Sequence, residues 1–299
     1  MQIHKPLFTG LHILDKELVY GIENGTLLEI RGHTSSGKTQ FLYSSIVKIL
    51  LPQFLGGYNS SVVVLDCDCR FNAYRMEEIL REHLAQMTAQ NEHQSLDASA
   101  IVALCLHHIY VFQPHSSSHL LSFIKTTLPA LIGDCSKTPH PISVLCVESI
   151  SSHVWMDTSS GRSLQMGSEA INLLIAKMKE WPIVLFATRL KIGRGPCRVN
   201  GEWDSKVHYR ITLIKSHSSD VPSSAEFIVL PSARVSFITS GGSASTTISS
   251  AIATEQAQLQ GSPSFISASP PSTHQLPYSS LSPTQYPFTI ENYGINFIR

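Results

Sequence analysis

Gly32-His33-Thr34-Ser35-Ser36-Gly37-Lys38-Thr39 is the stretch on which the fold turns. It fits G-x-x-x-x-G-K-[ST], a pattern that has meaning only between a strand and a helix. Both flanks are present. The apolar run Leu27-Leu28-Glu29-Ile30 precedes it, and behind it Leu42, Ile46, Ile49 and Leu50 fall on one helical face. The glycines let the chain wrap with its N–H groups inward, and the helix N-terminus adds the positive end of its dipole. Lys38 can then reach terminal phosphates, and the Thr39 hydroxyl can ligate Mg²⁺. The bland alternative is a glycine turn opening an ordinary helix.

Working outward, further apolar runs occur at Val62-Val63-Val64-Leu65, Ile109-Tyr110-Val111-Phe112, Val144-Leu145-Cys146-Val147 and Ile183-Val184-Leu185-Phe186. Continuous runs of this kind suit strands covered on both faces. Between them Met76, Ile79, Leu80 and Met87 share a helical face, as do Ile171, Leu174, Ile175 and Met178, and Trp181-Pro182 ends that last helix. After Phe186 the pattern changes. Val207, Tyr209, Ile211 and Leu213 alternate with His208, Arg210, Thr212 and Ile214, and Phe227 to Leu230 and Val235 to Ile238 follow without helices. These read as antiparallel strands added at one edge. The fold class is therefore α/β: a mainly parallel sheet, helices on both faces, antiparallel strands at one edge.

Residues 1–240 form the folded core in this reading. From Gly241 to Arg299 Ser, Thr, Pro and Gln dominate and the only charged side chains are Glu255, Glu291 and Arg299, which marks 241–299 as a disordered tail by composition. The 22 basic residues balance 22 acidic ones, so no global field draws the chain to nucleic acid and any such contact needs a local patch. No run approaches the roughly 20 residues of a membrane helix, so no membrane partner is expected. The cysteines do not form a paired C-x-x-C framework, and the 14 histidines show no metal spacing, so they read as ordinary surface or packing residues.

Acidic residues stand at two strand ends. Ser143-Val144-Leu145-Cys146-Val147-Glu148-Ser149 is the best candidate for a carboxylate-bearing strand beside the phosphate-loop strand, with Glu148 holding Mg²⁺ through water; a solvent-facing glutamate is the alternative. Val62-Val63-Val64-Leu65-Asp66-Cys67-Asp68 places Asp66 and Asp68 on one face at the end where ligands bind in open α/β sheets. Asp68 is a candidate to orient an attacking water. A cap for the helix after Asn72 is the competing role.

Taken in order, these residues resemble the RecA-type recombinase family, specifically its eukaryotic recombinase paralogues. Thr9-Gly10-Leu11 through Gly21-Ile22-Glu23-Asn24-Gly25 is similar to the family's entry segment. Gly37-Lys38-Thr39-Gln40 matches its phosphate loop and following glutamine. Leu65-Asp66-Cys67-Asp68-Cys69-Arg70-Phe71 resembles the segment of its catalytic glutamate, and Glu148-Ser149-Ile150 its Walker-B stretch. The resemblance spans nearly all of residues 9 to 238 and implies a RecA-like core that binds ATP and Mg²⁺ at Gly32, His33, Thr34, Ser35, Ser36, Gly37, Lys38, Thr39 and Gln40. The core pattern begins within the first ten residues, so the expectation is a core without the family's N-terminal helical domain.

Two departures bear on turnover. Asp68 stands where active members carry the catalytic glutamate, one methylene shorter, and a misplacement of about 1 Å can cost on the order of 10²-fold. Thr188-Arg189 stands at the "asn-gln" switch that senses the γ-phosphate. Arg189 cannot accept a hydrogen bond from water, although it can contact phosphate. Hydrolysis is expected to be weak or absent. The family's two DNA loops correspond to Thr158–Ser168, with Arg162, and to Lys191–Lys206, where Lys191, Arg194, Arg198 and Lys206 form a candidate DNA patch or else a solvated loop. Trp203 can stack on a base or sit in the core.

By resemblance the chain is expected to act in the nucleus, in homologous-recombination repair of double-strand breaks. It would do so as a subunit beside other paralogues, assisting recombinase filament assembly on single-stranded or branched DNA. The alternatives are a turnover-competent DNA-dependent ATPase, another P-loop enzyme such as a small-molecule kinase, or a vestigial nucleotide site.

Overall fold

The apolar runs become strands because covering both faces of a sheet removes them from water. The computed structural model describes residues 6–18, 20–90, 97–153, 157, 165–192, 195–196, 201–215, 223–230, 284–291 and 294–297. Its strands are β1 Leu27–Gly32, β2 Ser61–Asp66, β3 Ile109–Phe112, β4 Ile142–Glu148, β5 Val184–Ile192, β6 Gly195–Pro196, β7 Tyr209–Ile214, β8 Ser223–Val229, β9 Thr284–Glu291 and β10 Gly294–Phe297. Its helices are α1 His12–Glu17, α2 Lys38–Leu50, α3 Ala73–Gln90, α4 Ala98–His107, α5 Ser117–Ser122, α6 Leu128–Cys135, α7 Gln165–Lys177 and α8 Gly201–Lys206, with a π-helical turn, Phe123–Thr127, joining α5 to α6.

The sheet runs β3-β2-β4-β5-β1-β7-β8-β9-β10, with β6 paired to β5. From β3 to β7 every neighbouring pair is parallel, and from β7 to β10 every pair is antiparallel. Strand alternation places residues on two cores. One face carries Leu28, Ile30, Val62, Val64, Val144, Cys146, Val184 and Phe186 against α2, α3 and α4. The other carries Leu27, Val63, Leu65, Leu145, Val147, Leu185 and Ala187 against α5, α6, α7 and Trp203. The expected α/β sheet with helices on both faces is the one observed.

Three expectations are corrected. The alternating segment around Tyr209–Leu213 is not antiparallel to its inner neighbour: β7 pairs parallel with β1, Leu28 opposite Tyr209, and the antiparallel addition starts at β8. Alternation reports a strand but not its direction. Second, β4 does not lie beside β1, because β5 intervenes. Third, within the 241–299 segment, Thr284–Glu291 and Gly294–Phe297 are strands, β9 pairing its backbone with β8, so disorder does not describe those residues. An open sheet edge recruits a strand through main-chain groups, which composition does not report. Val235–Ile238 and the boundary near Ser240 lie outside the described residues. No helix among the described residues is long and apolar enough to cross a membrane.

Candidate functional site

Parallel strands direct their C-terminal ends to one rim, and the phosphate loop leaves β1 at that rim. Gly32 has no room for a side chain: a Cβ there would come within 2.7 Å of the Leu213 carbonyl oxygen and closer still to the Ser36 hydroxyl. Gly37 takes φ 91° immediately before α2, and Ser35 takes φ 59°, so the loop reverses twice before the helix starts. Lys38 folds back and its Nζ donates to the carbonyls of Gly32 (3.1 Å) and His33 (2.7 Å). Burial lowers the Lys38 pKa below its ordinary value, and the fields of Asp68 and Glu148 oppose that shift. The buried Ser36 hydroxyl has no hydrogen-bond partner among the described residues. This cradle of backbone N–H groups, lysine and helix N-terminus fits a nucleotide's phosphates.

Although β5 separates β1 from β4, Thr39 spans the gap and its hydroxyl donates to Glu148 Oε1 in a short hydrogen bond. Glu148 is 2% exposed, so the solvent-facing alternative does not hold. Burial raises its pKa to about 7, against the Thr39 hydrogen bond, with Asp68 and Asp66 adding to the rise. Its Oε2 is buried without a partner among the described residues. Two oxygens already in contact, one carboxylate atom unsatisfied, fit a divalent cation or its water. Among the described residues no group of three or more His, Cys, Asp or Glu side chains is arranged to hold a metal ion.

Asp66 and Asp68 divide the roles that the sequence left open between them. Asp66, fully buried, accepts from the N–H groups of Arg70 (2.9 Å) and Phe71 (2.8 Å) and from Gln113 Nε2 (2.8 Å). It therefore builds the turn after β2, while Asn72 caps α3 by accepting from the Arg75 N–H at 3.2 Å. Asp68 is left facing the phosphate loop. Burial raises its pKa, Arg70 opposes the rise, and its Oδ1 is buried without a partner among the described residues. Gln40 turns its side-chain carbonyl to Arg75, which donates through Nε (3.1 Å) and Nη2 (3.0 Å). Outside glycine, left-handed backbone occurs among the described residues at Ser35, Cys69 and Ser149, all around this rim, and at Asn59. Such conformations concentrate where a site over-determines them.

The assignment of Arg189 to γ-phosphate sensing is corrected. Strand parity puts Thr188 on the α2 face, where its Oγ1 accepts from the Ser149 N–H at 2.7 Å, and sends Arg189 to the opposite face. There Arg189 is 1% exposed and its Nη1 donates to Glu29 Oε1 (3.0 Å) and Asp204 Oδ1 (2.8 Å). Trp203 Nε1 donates to Glu29 Oε1 at 2.9 Å, and Arg210 bridges Glu29 Oε2 and Asp204 Oδ1. Burial lowers the Arg189 pKa, but hydrogen bonds and charges from Asp204 and Glu29 outweigh it and the net shift is upward. Trp203 is thus a core residue. Of the candidate DNA patch, Lys191 lies on β5 partly exposed and Lys206 ends α8 exposed, whereas Arg194 and Arg198 lie outside the described residues. Arg162 does too.

Sequence reasoning missed Arg70, Arg75 and Gln113 at this rim. Only their closeness in number to Asp68, or their place at a strand's C-terminal end, signals them.

The α/β sheet with a phosphate loop leaving its central strand, and an acidic strand end one strand away, defines a P-loop protein of the RecA-like class. Comparison with known proteins narrows this. The Rad51 profile matches residues 4–163, more than half the chain, and the chain belongs to the Rad51 family. It is similar to the mouse DNA repair protein XRCC2, 27% identical over 208 residues that make up 64% of this chain and 68% of that protein. An Arabidopsis thaliana DNA repair protein XRCC2 homolog is 26% identical over 46% of this chain and 43% of its own length. The mouse DNA repair protein RAD51 homolog 2 is 38% identical over 33% of this chain and 28% of its own. The chain thus spans about two thirds of the first relative and less than half of the other two.

Proposed function

We propose that the chain binds ATP with Mg²⁺ on residues 32–40 and acts in recombinational DNA repair as a paralogue subunit, joining other members of its family to assist recombinase filament assembly on single-stranded or branched DNA in the nucleus. The observation that carries this reading is an assembled but altered phosphate site. Lys38, Thr39 and Glu148 converge, yet by resemblance Asp68 stands where active recombinases carry a longer acid, and Arg189 is bonded into the opposite face. Family membership and the similarity to DNA repair proteins named XRCC2 support the role in repair. A site that holds nucleotide without turning it over stabilises the nucleotide-bound form and any interface that form presents. In this reading Asp68 is a weakened catalytic position, and Lys191, Arg194, Arg198 and Lys206 contribute DNA phosphate contacts through the complex.

The test is to purify the protein alone and with a co-purifying family member, then measure Mg²⁺-dependent ATP binding and ATP hydrolysis with and without single-stranded DNA. Binding with hydrolysis far below about one per second is expected. Turnover near that rate, lost in Asp68→Ala, would establish instead a DNA-dependent ATPase. That second reading draws on the unpartnered buried Oδ1 of Asp68.

A further inference from the structure

Arg70 occupies a constrained place on the rim. Its backbone N–H is held by Asp66 Oδ1 at 2.9 Å, and the residue before it, Cys69, takes φ 55°. The backbone there is set by a buried carboxylate. The side chain turns back toward the site, with Nε 3.4 Å from Asp68 Oδ2, and remains 70% exposed. Among the described residues Asp68 is the only carboxylate within ion-pairing distance of it. Its charge reaches across the site: it opposes protonation of Lys38 and favours ionisation of Glu148.

We propose that Arg70 is a second phosphate-contacting cation of this nucleotide site and that it favours a triphosphate over a diphosphate. The proposal rests on the nucleotide-site reading above and adds a residue and a discrimination to it. Charge supports it: Arg70 opposes protonation of Lys38, so the two cations repel across the site, and an incoming terminal phosphate offsets that repulsion. The existing ion pair is inexpensive to exchange. At 3.4 Å it is longer than the 2.7–2.9 Å of a strong charge-assisted bond, and exposed pairs contribute about 0–1 kcal/mol. The pair is made through Nε, and the planar guanidinium carries further N–H donors whose fork geometry matches two oxygens of one phosphate. Release of Asp68 on that exchange leaves its carboxylate toward the phosphate loop.

Titration calorimetry with MgATP and with MgADP on the full chain tests this. Arg70→Ala is expected to weaken MgATP about tenfold, which corresponds to about 1.4 kcal/mol, while leaving MgADP and the melting temperature unchanged. Arg70→Lys, which keeps the charge but not the fork, should fall between. Unchanged MgATP affinity in Arg70→Ala, or an equal loss for both nucleotides, overturns the proposal while the nucleotide site stands. Wild-type protein that binds neither nucleotide overturns the nucleotide-site reading itself, and this proposal with it. Arg70→Gln, similar in length and uncharged, gives the same comparison if the alanine variant melts early.

Discussion

Two clusters of charge lie on opposite faces of one sheet, and they differ in what they leave unsatisfied. On the α2 face, Glu148 Oε2, Asp68 Oδ1 and the Ser36 hydroxyl are buried with no partner among the described residues, and Lys38 is bonded to its own loop. On the other face, Glu29 accepts from Arg189, Trp203 and Arg210, and Asp204 accepts from both arginines. An unpaired polar group in the interior costs about 1–3 kcal/mol, which a chain retains only where something else repays it. The first cluster has the chemistry of a ligand site. The second has the chemistry of structure: it ties β1, β5 and β7 to α8, at the far end of the segment that carries Lys191 and Lys206.

Glu29→Ala is the strongest way to break the comparison. It leaves two guanidinium groups beside an empty buried position, and chemical denaturation should show a loss of about 3–5 kcal/mol. A loss under about 1 kcal/mol would show that the second cluster is not a structural tie. Lys38→Ala should do the reverse. Nucleotide affinity falls by roughly 10- to 100-fold, as expected for loss of about 1.5–3 kcal/mol of charged hydrogen bonding, while stability moves by no more than about 0.5 kcal/mol. A Lys38→Ala protein that unfolds would merge the two clusters into one.

The pH dependence sharpens the contrast further. Burial raises the Glu148 pKa from 4.5 to about 7. For a carboxyl raised in the folded state, the stability it contributes is fully present below the unfolded value and is lost as pH rises through the folded one. Between pH 4.5 and 7 the nucleotide-free protein should therefore lose stability, by about 1–3 kcal/mol at roughly 1.4 kcal/mol per pKa unit with relaxation allowed. Glu148→Gln should flatten that slope in melting curves taken across pH. A slope that persists in Glu148→Gln would move the effect to another group.

The parts of the molecule legible in the sequence are those whose signal is local. The phosphate loop, its strand and helix, and the runs at Val62, Val144 and Ile183 declare themselves within a dozen residues, because a strand covered on both faces has no polar positions to interrupt it. Direction and partnership are not local. The alternation from Val207 to Leu213 shows a strand, but its parallel pairing with β1 depends on α8 carrying the chain back across the sheet. Arg189 follows the same rule. Its place next to Thr188 invites a phosphate role, and only Glu29, 160 positions away, reveals why an arginine is tolerated there. Glu148 was recoverable because it ends an apolar run; Arg70 was not, because an arginine in a turn looks like any solvated residue.

In the proposed nucleotide site, the bonds of Lys38 to the Gly32 and His33 carbonyls, and of Thr39 to Glu148, make entry partly a substitution. Lys38 and Thr39 give up these internal partners as a phosphate arrives, whereas the Ser36 hydroxyl and Glu148 Oε2, unpartnered among the described residues, form bonds without breaking any. For Lys38 and Thr39, affinity is then the difference between two bonded arrangements, set for Lys38 mainly by how much more negative charge the newcomer brings than a backbone carbonyl. Neutral analogues of the same shape gain little from that exchange.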